Sequence, residues 1–596
     1  MKLTKEQEAK FLKLGIQSVC ELALLIPHSY EDYTLHDKLT PHENQLIDAT
    51  VESVYRAPNT IQITFFVHNF GHSVTGVLFR PKPYMMHQFT VGSRDCYYGM
   101  IECKVGSCSM SMPKKITTVG KITPKYKSAL RGDVMLRLTQ NLVNVENLEA
   151  EGLEVKYAQE LVTLHRGNEV LLRTKEFTPE ILQALKFTEL YVYMKQLTLK
   201  RRYFKPIKKF RANYKSWMQT LPFTLTPEQV KAIDDIKVDF SKDVAAKRMI
   251  VGDVGSGKTM VILAAAFMMR KHGVILMAPT TILANQLFEE AQKFLPDLRS
   301  CLVTNKSKKQ DLKEFDFIIG THALLYRELP KTALVMVDEQ HRFGTQQRNM
   351  LEKLVSEGSQ KPHFLQFSAT PIPRTQAMIE TAHIDVSLIT STPFIKDIKS
   401  EVIHKEDFSE LLTHIKSEIA QNNQVLLVYP LVAQSETIEY QSIEEARGYW
   451  EKNFDDVYVT HGKDKEKEQV LLDFREKGSL LIATTVVEVG ISLPRLTTVV
   501  IVGAERLGLS SLHQLRGRVS RTGLKGYCYL YSNQKESSRL EEFVHTSSGF
   551  DIANLDLKFR KSGDLLKGVN QSGTQFKWID LAEDEAIVRD VKATLL

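Results

Sequence analysis

The feature that most constrains the fold of this 596-residue chain is a change of rhythm after Pro222. From there on, short apolar segments alternate with helical patterns, first RMIVGD, GVILMAP, FDFIIGTHAL, ALVMVDE and HFLQFSAT, then QVLLVYP, VYVTHG, SLLIATT, TTVVIVGAE and GYCYLYS. Uninterrupted apolar strands that alternate with helices are typical of parallel sheets covered on both faces. The two series therefore predict two α/β domains, which meet near Thr392 and Pro393.

The part of the chain before Pro222 follows other patterns. Apolar residues between Leu12 and Leu22 recur at helical spacing, which predicts short helices near the N-terminus. Alternating runs across residues 46–117, broken by Gly, Asn and Pro, predict a small antiparallel barrel or sandwich. The stretch over residues 121–221 is again mostly helical.

Composition argues against several classes of protein. Hydrophobic residues make up 43% of the chain and charged residues 25%, which is unlike a disordered or fibrous chain. The longest apolar run, Met260–Met269, is far shorter than the ~20 residues of a membrane helix, and the N-terminus lacks the apolar core of a signal peptide. We therefore expect neither a membrane-spanning nor a secreted protein. The six cysteines show no zinc-site spacing and are expected to be free thiols in a reducing compartment.

The net charge of +7 is concentrated in two basic blocks. Residues 104–131 carry seven basic residues and no acid, and residues 200–215 carry eight and none, so the rest of the chain is net acidic. The second block interleaves its cations with four aromatic residues, Tyr203, Phe204, Phe210 and Tyr214. Such a mixture suits stacking on nucleic acid. A helix packed on a neighbouring domain explains it equally well.

The strongest motif lies between the strand RMIV and a helical pattern that starts near Met260. It matches GxxxxGK[ST] in the context that identifies a phosphate-binding loop, whose backbone amides close around phosphates. Lys258 is expected to reach the β- and γ-phosphates and Thr259 to bind Mg²⁺. The predicted nucleotide-binding residues of this loop are Gly252, Asp253, Val254, Gly255, Ser256, Gly257, Lys258 and Thr259.

Two adjacent acids follow the apolar strand ALVMV. A carboxylate at the end of such a strand can hold Mg²⁺, which is the role expected for Asp338. A second carboxylate beside it can orient and deprotonate the attacking water, which is the role expected for Glu339. Together with the phosphate-binding loop, the pair predicts hydrolysis of a nucleoside triphosphate.

An arginine-rich segment in the second α/β domain, QLRGRVSR, supplies a third element. Arg518 and Arg521 are three residues apart, so on a helix they would lie one turn apart and could face the same phosphate. Supplied from the second domain, they would neutralise transition-state charge as arginine fingers do.

These residues belong to a longer series of motifs that resembles the superfamily-2 helicases, and within them the RecG-type branched-DNA helicases of bacteria. The series runs through FTLTPEQ, GDVGSGKT, APTTILANQ, GTHALL, DEQHRFGTQQR and SATPIPRT, and continues with TTVVEVG, AERLGLSSLHQLRGRVSR and GFDIANLDLKFRKSGDLLKGVNQSG. Weaker likeness reaches the N-terminus in LGIQSVCELALLIPHSYEDY. The resemblance thus covers nearly the whole chain.

The resemblance implies a multidomain α/β architecture. An N-terminal wedge domain with an OB-type β-barrel would be followed by two RecA-like doubly wound parallel-sheet motor domains and a helical C-terminal segment. The implied domains are the wedge (1–125), a helical linker (126–220), the ATP-binding helicase domain 1 (221–393), helicase domain 2 (394–535) and a translocation-motif segment (536–596).

The resemblance also assigns roles around ATP and Mg²⁺. Gln229, with Phe223 beside it, would contact the adenine. His341, Ser368, Thr370 and Gly490 would link hydrolysis to domain closure. Gln514 would join Arg518 and Arg521 in completing the site from the second domain, beside the catalytic Lys258 and Glu339.

For DNA, the resemblance implies wedge aromatics that cap the unpaired bases where a fork splits. The counterparts here are Phe79 and Tyr84, which could equally be barrel core. Lys114 and Lys115 would contact phosphates, and Arg560 and Gln571 in the C-terminal segment would grip duplex DNA.

The implied activity is that of an ATP-dependent double-stranded DNA translocase that regresses stalled forks and migrates Holliday junctions in repair and recombination. Branched double-stranded DNA is the expected partner, with a single-stranded-DNA-binding protein as a candidate protein partner. We further expect a monomer in the bacterial cytoplasm, associated with the nucleoid.

The chain departs from the family pattern at Ser492, Ser520, Lys561 and Ser562, none of which supplies a group that hydrolysis requires. Other nucleic-acid motors, such as a transcription-coupled repair translocase or an RNA helicase, stay open as alternatives. A replication-restart helicase would require zinc-binding cysteine pairs. A non-catalytic ATP-regulated DNA scaffold is disfavoured because both lobes keep their catalytic groups.

Overall fold

The computed structural model describes residues 3–82, 85, 87–104, 107–174, 176–201, 203–211, 213–308, 310–356, 358–369, 373–393, 397–431, 440–485, 492–520, 523–567 and 576–595. Within these ranges the side chains of Thr345, Arg374 and residues 560–567 are not described. The chain divides into two compact units. The first contains Met1–Tyr193 and Gln575–Ile579, and the second contains Met194–Thr574 and Asp580–Thr594.

The first unit begins with two short helices, α1 (Lys5–Leu14) and α2 (Val19–Ala23). Each begins at a capping box, in which a hydroxyl and a glutamine or glutamate side chain satisfy the first backbone amides. Because α1 ends at Leu14, the apolar spacing that runs to Leu22 does not lie on one helix. The predicted short helices are present, and Leu12 on the first of them is 83% exposed.

A closed barrel forms the middle of this unit. A strand pair, β1 (Ser29–Asp32) and β7 (Ile122–Lys125), flanks it. The barrel strands are β2 (Asn44–Ala57), β3 (Thr60–Val67), β4 (His72–Phe79), β5 (Arg94–Lys104) and β6 (Ser107–Ile116), in the order β2-β3-β4-β6-β5. Alternate residues of β3, among them Ile63 and Phe65, fill the interior. The predicted barrel is confirmed.

The cysteines at the end of the β5–β6 hairpin differ from expectation. Cys103 and Cys108 are paired in the antiparallel register, with their Cα atoms 4.1 Å apart, and are joined by a disulfide. The prediction of free thiols is therefore wrong for this pair, because the hairpin register brings the two residues opposite each other. Cys20, Cys96, Cys301 and Cys528 are not in a disulfide.

Helices complete the first unit: α3 (Gly132–Leu142), α4 (Val145–Ala150), α5 (Val155–Arg166), α6 (Glu169–Thr174) and α7 (Pro179–Lys200), the last of which continues into the second unit. His165 on α5 is buried. Its Nε2–H donates to the Ala23 carbonyl at 2.9 Å, and the Tyr126 hydroxyl donates to its Nδ1 at 2.8 Å. Burial lowers the pKa of His165 to about 4.

The second basic block packs on the first sheet of the second unit. Its strand β8 (Lys205–Pro206) pairs with β14 (Gln360–Lys361), and it is followed by a short helix, α8 (Lys215–Met218). Arg201 bonds Asp385 at 2.9 Å, and Tyr214 is buried with its hydroxyl on Asp234. Of the two explanations for this block, the structure thus favours packing on a neighbouring domain, although most of the block is not helical.

The first sheet of the second unit is parallel throughout. Its strands, in spatial order, are β11 (Ser300–Val303), β12 (Phe317–Gly320), β10 (Val274–Met277), β13 (Leu334–Val337), β15 (His363–Ser368), β9 (Lys247–Gly252) and β16 (Asp385–Ile389). Its helices are α9 (Pro227–Phe240), α10 (Lys258–Met269), α11 (Thr281–Phe294), α12 (Thr345–Val355) and α13 (Arg374–Glu380). Leu334 and Met336 pack in one core and Val335 and Val337 in another, so both faces are covered. We call this part lobe 1.

The second sheet is also parallel and covered on both faces. Its strands, in spatial order, are β17 (Ile398–Ile403), β22 (Gly526–Tyr531), β21 (Leu496–Val502), β18 (Gln424–Val428), β20 (Leu480–Ala483) and β19 (Val457–Thr460). Its helices are α14 (Phe408–Ala420), α15 (Ile443–Asn453), α16 (Lys467–Lys477) and α17 (Leu509–Arg516). We call this part lobe 2. The predicted pair of parallel α/β folds is confirmed.

The chain ends in helices α18 (Ser538–His545), α19 (Gly549–Lys567) and α20 (Glu585–Leu595), as predicted for a helical C-terminal segment. Across the described ranges, none of the helices combines the length and the apolar character needed to cross a bilayer.

Candidate ATP site between the two lobes

The phosphate-binding loop connects β9 to α10. It therefore lies at the carboxyl end of a strand of the parallel sheet and at the N-terminus of a helix. Gly257 has a left-handed backbone with φ of 75°, and a Cβ there would lie 2.3 Å from Nε2 of Gln229. A Cβ on Gly252 would lie 2.4 Å from Oγ of Ser256. Both positions thus favour glycine, and the amides of Val254 and Ser256 are bonded to Asp253 within the loop.

Lys258 is held against the loop itself. Its ammonium donates to the carbonyl oxygens of Gly252 at 2.8 Å and Asp253 at 3.1 Å. Burial lowers the pKa of Lys258, and the carboxylates of Glu339 and Asp338 oppose that effect. A buried ammonium beside a helix N-terminus suits an anionic ligand such as a phosphate.

Gln229 is buried beside this loop near the start of α9. Its Nε2 donates to the Ser256 carbonyl at 2.8 Å, and its Oε1 accepts from the Thr226 amide at 2.8 Å. Phe223, four-tenths exposed, stacks edge-on against Phe294. Gln229 thus contacts the loop, and the contact of Gln229 and Phe223 with the base stays a prediction.

The two predicted acids follow β13. Burial, and after it the Glu339 carboxylate, raise the pKa of Asp338 to about 7. Glu339 has a left-handed backbone with φ of 47°, and its Oε2 accepts from the Ala369 amide at 3.2 Å. Its carboxylate also lies 3.6 Å from Nδ1 of His341. The structure therefore brings the two acids, His341 and the end of β15, where buried Ser368 lies, into one cluster.

The donors fit Mg·ATP. Hard cations prefer oxygen ligands, and Asp338 is a buried carboxylate whose negative charge lacks full compensation, as its raised pKa indicates. Thr259, which carries a hydroxyl, is the residue after Lys258 at the start of α10. The Ser256 hydroxyl is buried and has no hydrogen-bond partner among the residues that the structure describes. These side chains are suited to hold a metal-bound polyphosphate.

Lobe 2 meets the loop at α17. Gln514 and Arg518 are buried, and Arg518 is close enough to Lys258 to contribute, after burial, to the lowered pKa of that lysine. Gly517 lies against the loop: a Cβ there would be 2.6 Å from Cγ1 of Val254. The two lobes therefore meet at the predicted nucleotide site.

One detail of the arginine prediction is wrong. Helix α17 ends at Arg516, and Ser520 has a left-handed backbone with φ of 58°. Arg518 therefore does not lie on this helix, whereas Arg521 lies outside the described residues. Gly517 caps the helix with a right-handed backbone, and at Ser520 the backbone becomes left-handed.

Several predicted residues lie outside the described residues: Tyr84, Thr370, Gly490, Arg521 and Gln571, together with the side chain of Arg560. Their roles stay predictions.

The predicted DNA contacts of the barrel lie on β4 and β6, which are neighbours. Phe79, the last residue of β4, is 55% exposed, so it is not barrel core. Lys114 is exposed, whereas Lys115 bonds Asp95 at 2.7 Å and is partly neutralised. Met112 and Arg80, close to Phe79 in the strands, have left-handed backbones, a strain often found at functional sites.

A contact that sequence reasoning missed joins the lobes at Asp253. Its Oδ1 accepts from Nε2 of His513 at 2.5 Å, and its Oδ2 accepts from the Gly549 amide at 2.8 Å. Burial raises the pKa of Asp253, but the bonds from His513 and the two amides of Gly549 and Val254 outweigh it and hold the pKa below its usual value. Spacing gives no signal for this contact, because the partners are hundreds of residues apart.

Comparison with known proteins agrees with this geometry. Residues 226–379 match the DEAD/DEAH box helicase family, and residues 405–523 match the helicase conserved C-terminal domain. The solved structure titled "Structure of RecG bound to three-way DNA junction" has the same fold, with a TM-score of 0.58 and 24% identity over 100% of this chain and 84% of that chain.

Relatives of known sequence extend the match over the full length. The ATP-dependent DNA helicase RecG of Helicobacter pylori is 42% identical over 601 residues, which span 98% of this chain and 96% of that protein. The RecG helicase of Aquifex aeolicus is 32% identical over 634 residues, 96% of this chain and 80% of the relative. The chain therefore belongs to the RecG family of ATP-dependent DNA helicases.

Proposed function

We propose that this protein hydrolyses ATP to move along double-stranded DNA and to remodel branched DNA, including stalled forks and Holliday junctions. The observation that carries the proposal is the meeting of both lobes at one phosphate-binding loop, with Lys258 and the acids from lobe 1 and Gln514 and Arg518 from lobe 2. A site built from two lobes opens and closes with each turnover, which is how such motors produce movement.

Each residue of the site has a defined task. Mg·ATP, when bound, supplies the phosphoric anhydride whose hydrolysis drives the cycle. Lys258 leaves the carbonyls of Gly252 and Asp253 and contacts the phosphates. Thr259 and Asp338 hold the metal, and Glu339 accepts the proton of the attacking water.

Residues of lobe 2 act on the same phosphates. Gln514, Arg518 and Arg521 approach from lobe 2, so the developing negative charge is neutralised only when the lobes are closed. His341 and Ser368 adjoin Glu339, so they are placed to sense whether hydrolysis has occurred; Thr370 and Gly490 share this proposed task.

The substrate assignment rests on the barrel as well as on the motor. Phe79 presents an exposed ring at the end of β4, and Lys114 is exposed on the neighbouring strand β6. A ring beside a cation suits the junction between paired and unpaired DNA, because any base can stack on it. Tyr84, Arg560 and Gln571 complete the proposed set of DNA contacts.

The remaining assignments follow from the substrate. We place the protein in the bacterial cytoplasm at the nucleoid, because chromosomal DNA is the proposed substrate. A single-stranded-DNA-binding protein is a suitable partner, since fork remodelling exposes single strands. A monomer suffices, because one chain carries both lobes and the barrel.

The proposal is tested by measuring ATP hydrolysis with single-stranded, linear duplex, forked and four-way DNA, with structured RNA as the control. Forked and four-way DNA are expected to stimulate hydrolysis several-fold more than linear duplex. Equal stimulation by linear and branched DNA would reject the branched substrate, and stimulation by RNA equal to that by DNA would reject a DNA motor.

A further inference from the structure

Asp253 belongs to a ring of hydrogen bonds that joins the phosphate-binding loop to the helices that follow lobe 2. His513 on α17 donates to Asp253 through Nε2, and its Nδ1 accepts from Nη2 of Arg516 at 3.2 Å. The imidazole is therefore held in a single tautomer between an acid of lobe 1 and an arginine of lobe 2.

Arg516 extends the ring to the corner between α18 and α19. Its guanidinium donates to the carbonyls of Phe543 at 3.1 Å and Thr546 at 2.7 Å, and lies 4.2 Å from the centre of the Phe543 ring. Three residues beyond Thr546, the Gly549 amide at the start of α19 donates back to Asp253. We call Asp253, His513, Arg516 and Gly549 the loop clasp.

The clasp is buried, so its bonds are not exchanged readily for water. Asp253, His513 and Arg516 are 6%, 6% and 5% exposed. Without the His513 donor, Oδ1 of this buried carboxylate would keep the Val254 amide at 2.6 Å but lose a hydrogen bond, which is costly in the interior. The position of Asp253 and the position of α19 are therefore tied together.

The same residue also touches the group that moves when nucleotide binds. The backbone carbonyl of Asp253 accepts from Lys258, while its side chain accepts from lobe 2 and α19. When Lys258 leaves this carbonyl for the phosphates, the Asp253 peptide loses a charged partner and its side chain can shift.

We propose that Asp253 is a positioning residue, which transmits the nucleotide-dependent movement of Lys258 to helix α19 through His513 and the Gly549 amide. This inference rests on the proposed function, because α19 contains the segment proposed to grip duplex DNA. It assigns to the second residue of the phosphate-binding loop a task in coupling, besides its place in the nucleotide-binding loop.

The test removes the His513 donor while leaving the nucleotide site in place. His513→Leu keeps a side chain of similar bulk but cannot donate to Asp253, whereas His513→Gln offers an amide donor. His414→Leu is the matched control, since His414 is a partly buried histidine of lobe 2 whose Nε2 lies 3.0 Å from a hydroxyl, that of Thr498. For each variant, base pairs unwound per ATP hydrolysed are measured on forked DNA, together with hydrolysis without DNA.

His513→Leu is expected to lower base pairs unwound per ATP by about tenfold, with hydrolysis in the absence of DNA within about twofold of the wild type. His513→Gln is expected to restore most of the ratio, and His414→Leu to leave it unchanged. An unaltered ratio in His513→Leu overturns the inference, as does an equal loss in His414→Leu. If the wild type itself neither hydrolyses ATP on forks nor unwinds them, the proposed function fails instead.

A second variant keeps the test decisive if His513→Leu does not fold. Asp253→Asn weakens the acceptor from the other side and is expected to lower both nucleotide affinity and base pairs unwound per ATP. Combining it with His513→Ala, which removes the donor, should then lower the ratio no further than Asp253→Asn alone, because both changes act on the bond between Asp253 and His513. A ratio in Asp253→Asn equal to that of the wild type, or independent and multiplying losses in the pair, contradicts the inference.

Discussion

At the scale of single residues, the carboxylate proposed as the general base and a departure from the family pattern share an unusual backbone conformation. Glu339 and Ser520 both have positive φ, at 47° and 58°. A left-handed conformation costs a residue with a Cβ roughly 1–2 kcal/mol, and such strain is found most often at functional sites. For Glu339 the strained turn directs the carboxylate toward the Ala369 amide, which the sequence motif alone does not reveal.

Replacing Ser520 by glycine, the residue usual in the family, tests the cost of that strain. Ser520→Gly should raise the free energy of unfolding of the second unit by about 1 kcal/mol, because glycine adopts positive φ without penalty. Urea unfolding followed by circular dichroism measures the change. A variant that is less stable than the wild type would mean that the Ser520 side chain contributes more than its backbone costs.

Lys258→Ala tests the phosphate-binding loop. Hydrolysis should fall by roughly two orders of magnitude, because the ammonium that contacts the phosphates is lost. Binding to forked DNA should stay close to that of the wild type, since Lys258 lies in the nucleotide site. Lys231→Ala, an exposed lysine of α9, is the control and should hydrolyse ATP normally. Turnover retained in Lys258→Ala would refute the site assignment.

At the scale of elements, the contact between α17 and the phosphate-binding loop depends on the missing side chain of Gly517. A Cβ there would lie 2.6 Å from Val254, closer than carbon atoms approach. The loop and α17 can adjoin only because one surface is bare backbone. Sequence reasoning recognised both segments, but it treated the glycine as a part of a motif and not as the point of contact.

Gly517→Ala should therefore hinder closure of the lobes. We expect the turnover rate at saturating ATP and forked DNA to fall by about tenfold, in line with the ~1–3 kcal/mol that overpacking costs. Gly448→Ala is the matched control, because a Cβ at Gly448 meets no atom within 4 Å. Equal rates for Gly517→Ala and the wild type would show that the lobes do not need this approach.

The prediction that aromatic residues of the barrel domain cap unpaired bases can be tested by removing their rings. Phe79→Ala combined with Tyr84→Ala should reduce unwinding of forks more than it reduces ATP hydrolysis, because stacking on unpaired bases is lost while the nucleotide site is untouched. Tyr55→Ala removes another exposed ring of the same barrel and serves as the control. Equal losses of unwinding and hydrolysis would contradict a wedge role.

At the scale of the whole molecule, each unit buries an imidazole that the fold keeps neutral. In the first unit this is His165, whose pKa is lowered to about 4 by burial. In the second unit it is His363, and burial lowers its pKa as well. His363 accepts from the Ala246 amide at 3.1 Å and lies 2.9 Å from the Lys208 carbonyl. Protonation of either ring favours the unfolded chain, so both units are acid-sensitive.

The lowered pKa of His165 determines the pH range in which the stability of the first unit depends on pH. Above about pH 6.5 the ring is neutral in both states and contributes no pH dependence. Below that pH the unfolded chain binds the proton first, so the first unit should lose about 1.4 kcal/mol of stability per pH unit until about pH 4. His165→Gln should flatten the slope between about pH 6.5 and about pH 5 in urea unfolding, whereas His87→Gln, an exposed histidine, should not. The same slope in all three proteins would rule out His165 as its source.

Much of the fold and of the site follows from local pattern. Apolar strands between helices predicted both parallel sheets, and the loop Gly252–Thr259 and the acids after ALVMV predicted the core of the site. What the pattern could not supply were the contact between the distant residues Asp253 and His513 and the hairpin register that pairs Cys103 with Cys108. The end of α17 at Arg516 also escaped prediction, because the motif gives no sign of the left-handed backbone at Ser520.

The pairing of β8 with β14 has a consequence for how such proteins can be recombined. Lys205–Pro206 adds a strand partner to Gln360–Lys361, and Tyr214 and Trp217 enter the same hydrophobic core as β9 and α10. The basic stretch is therefore a structural part of lobe 1. A chimaera in which another DNA-reading domain is fused to this motor has to place its junction before residue 205, or the motor loses part of its own core.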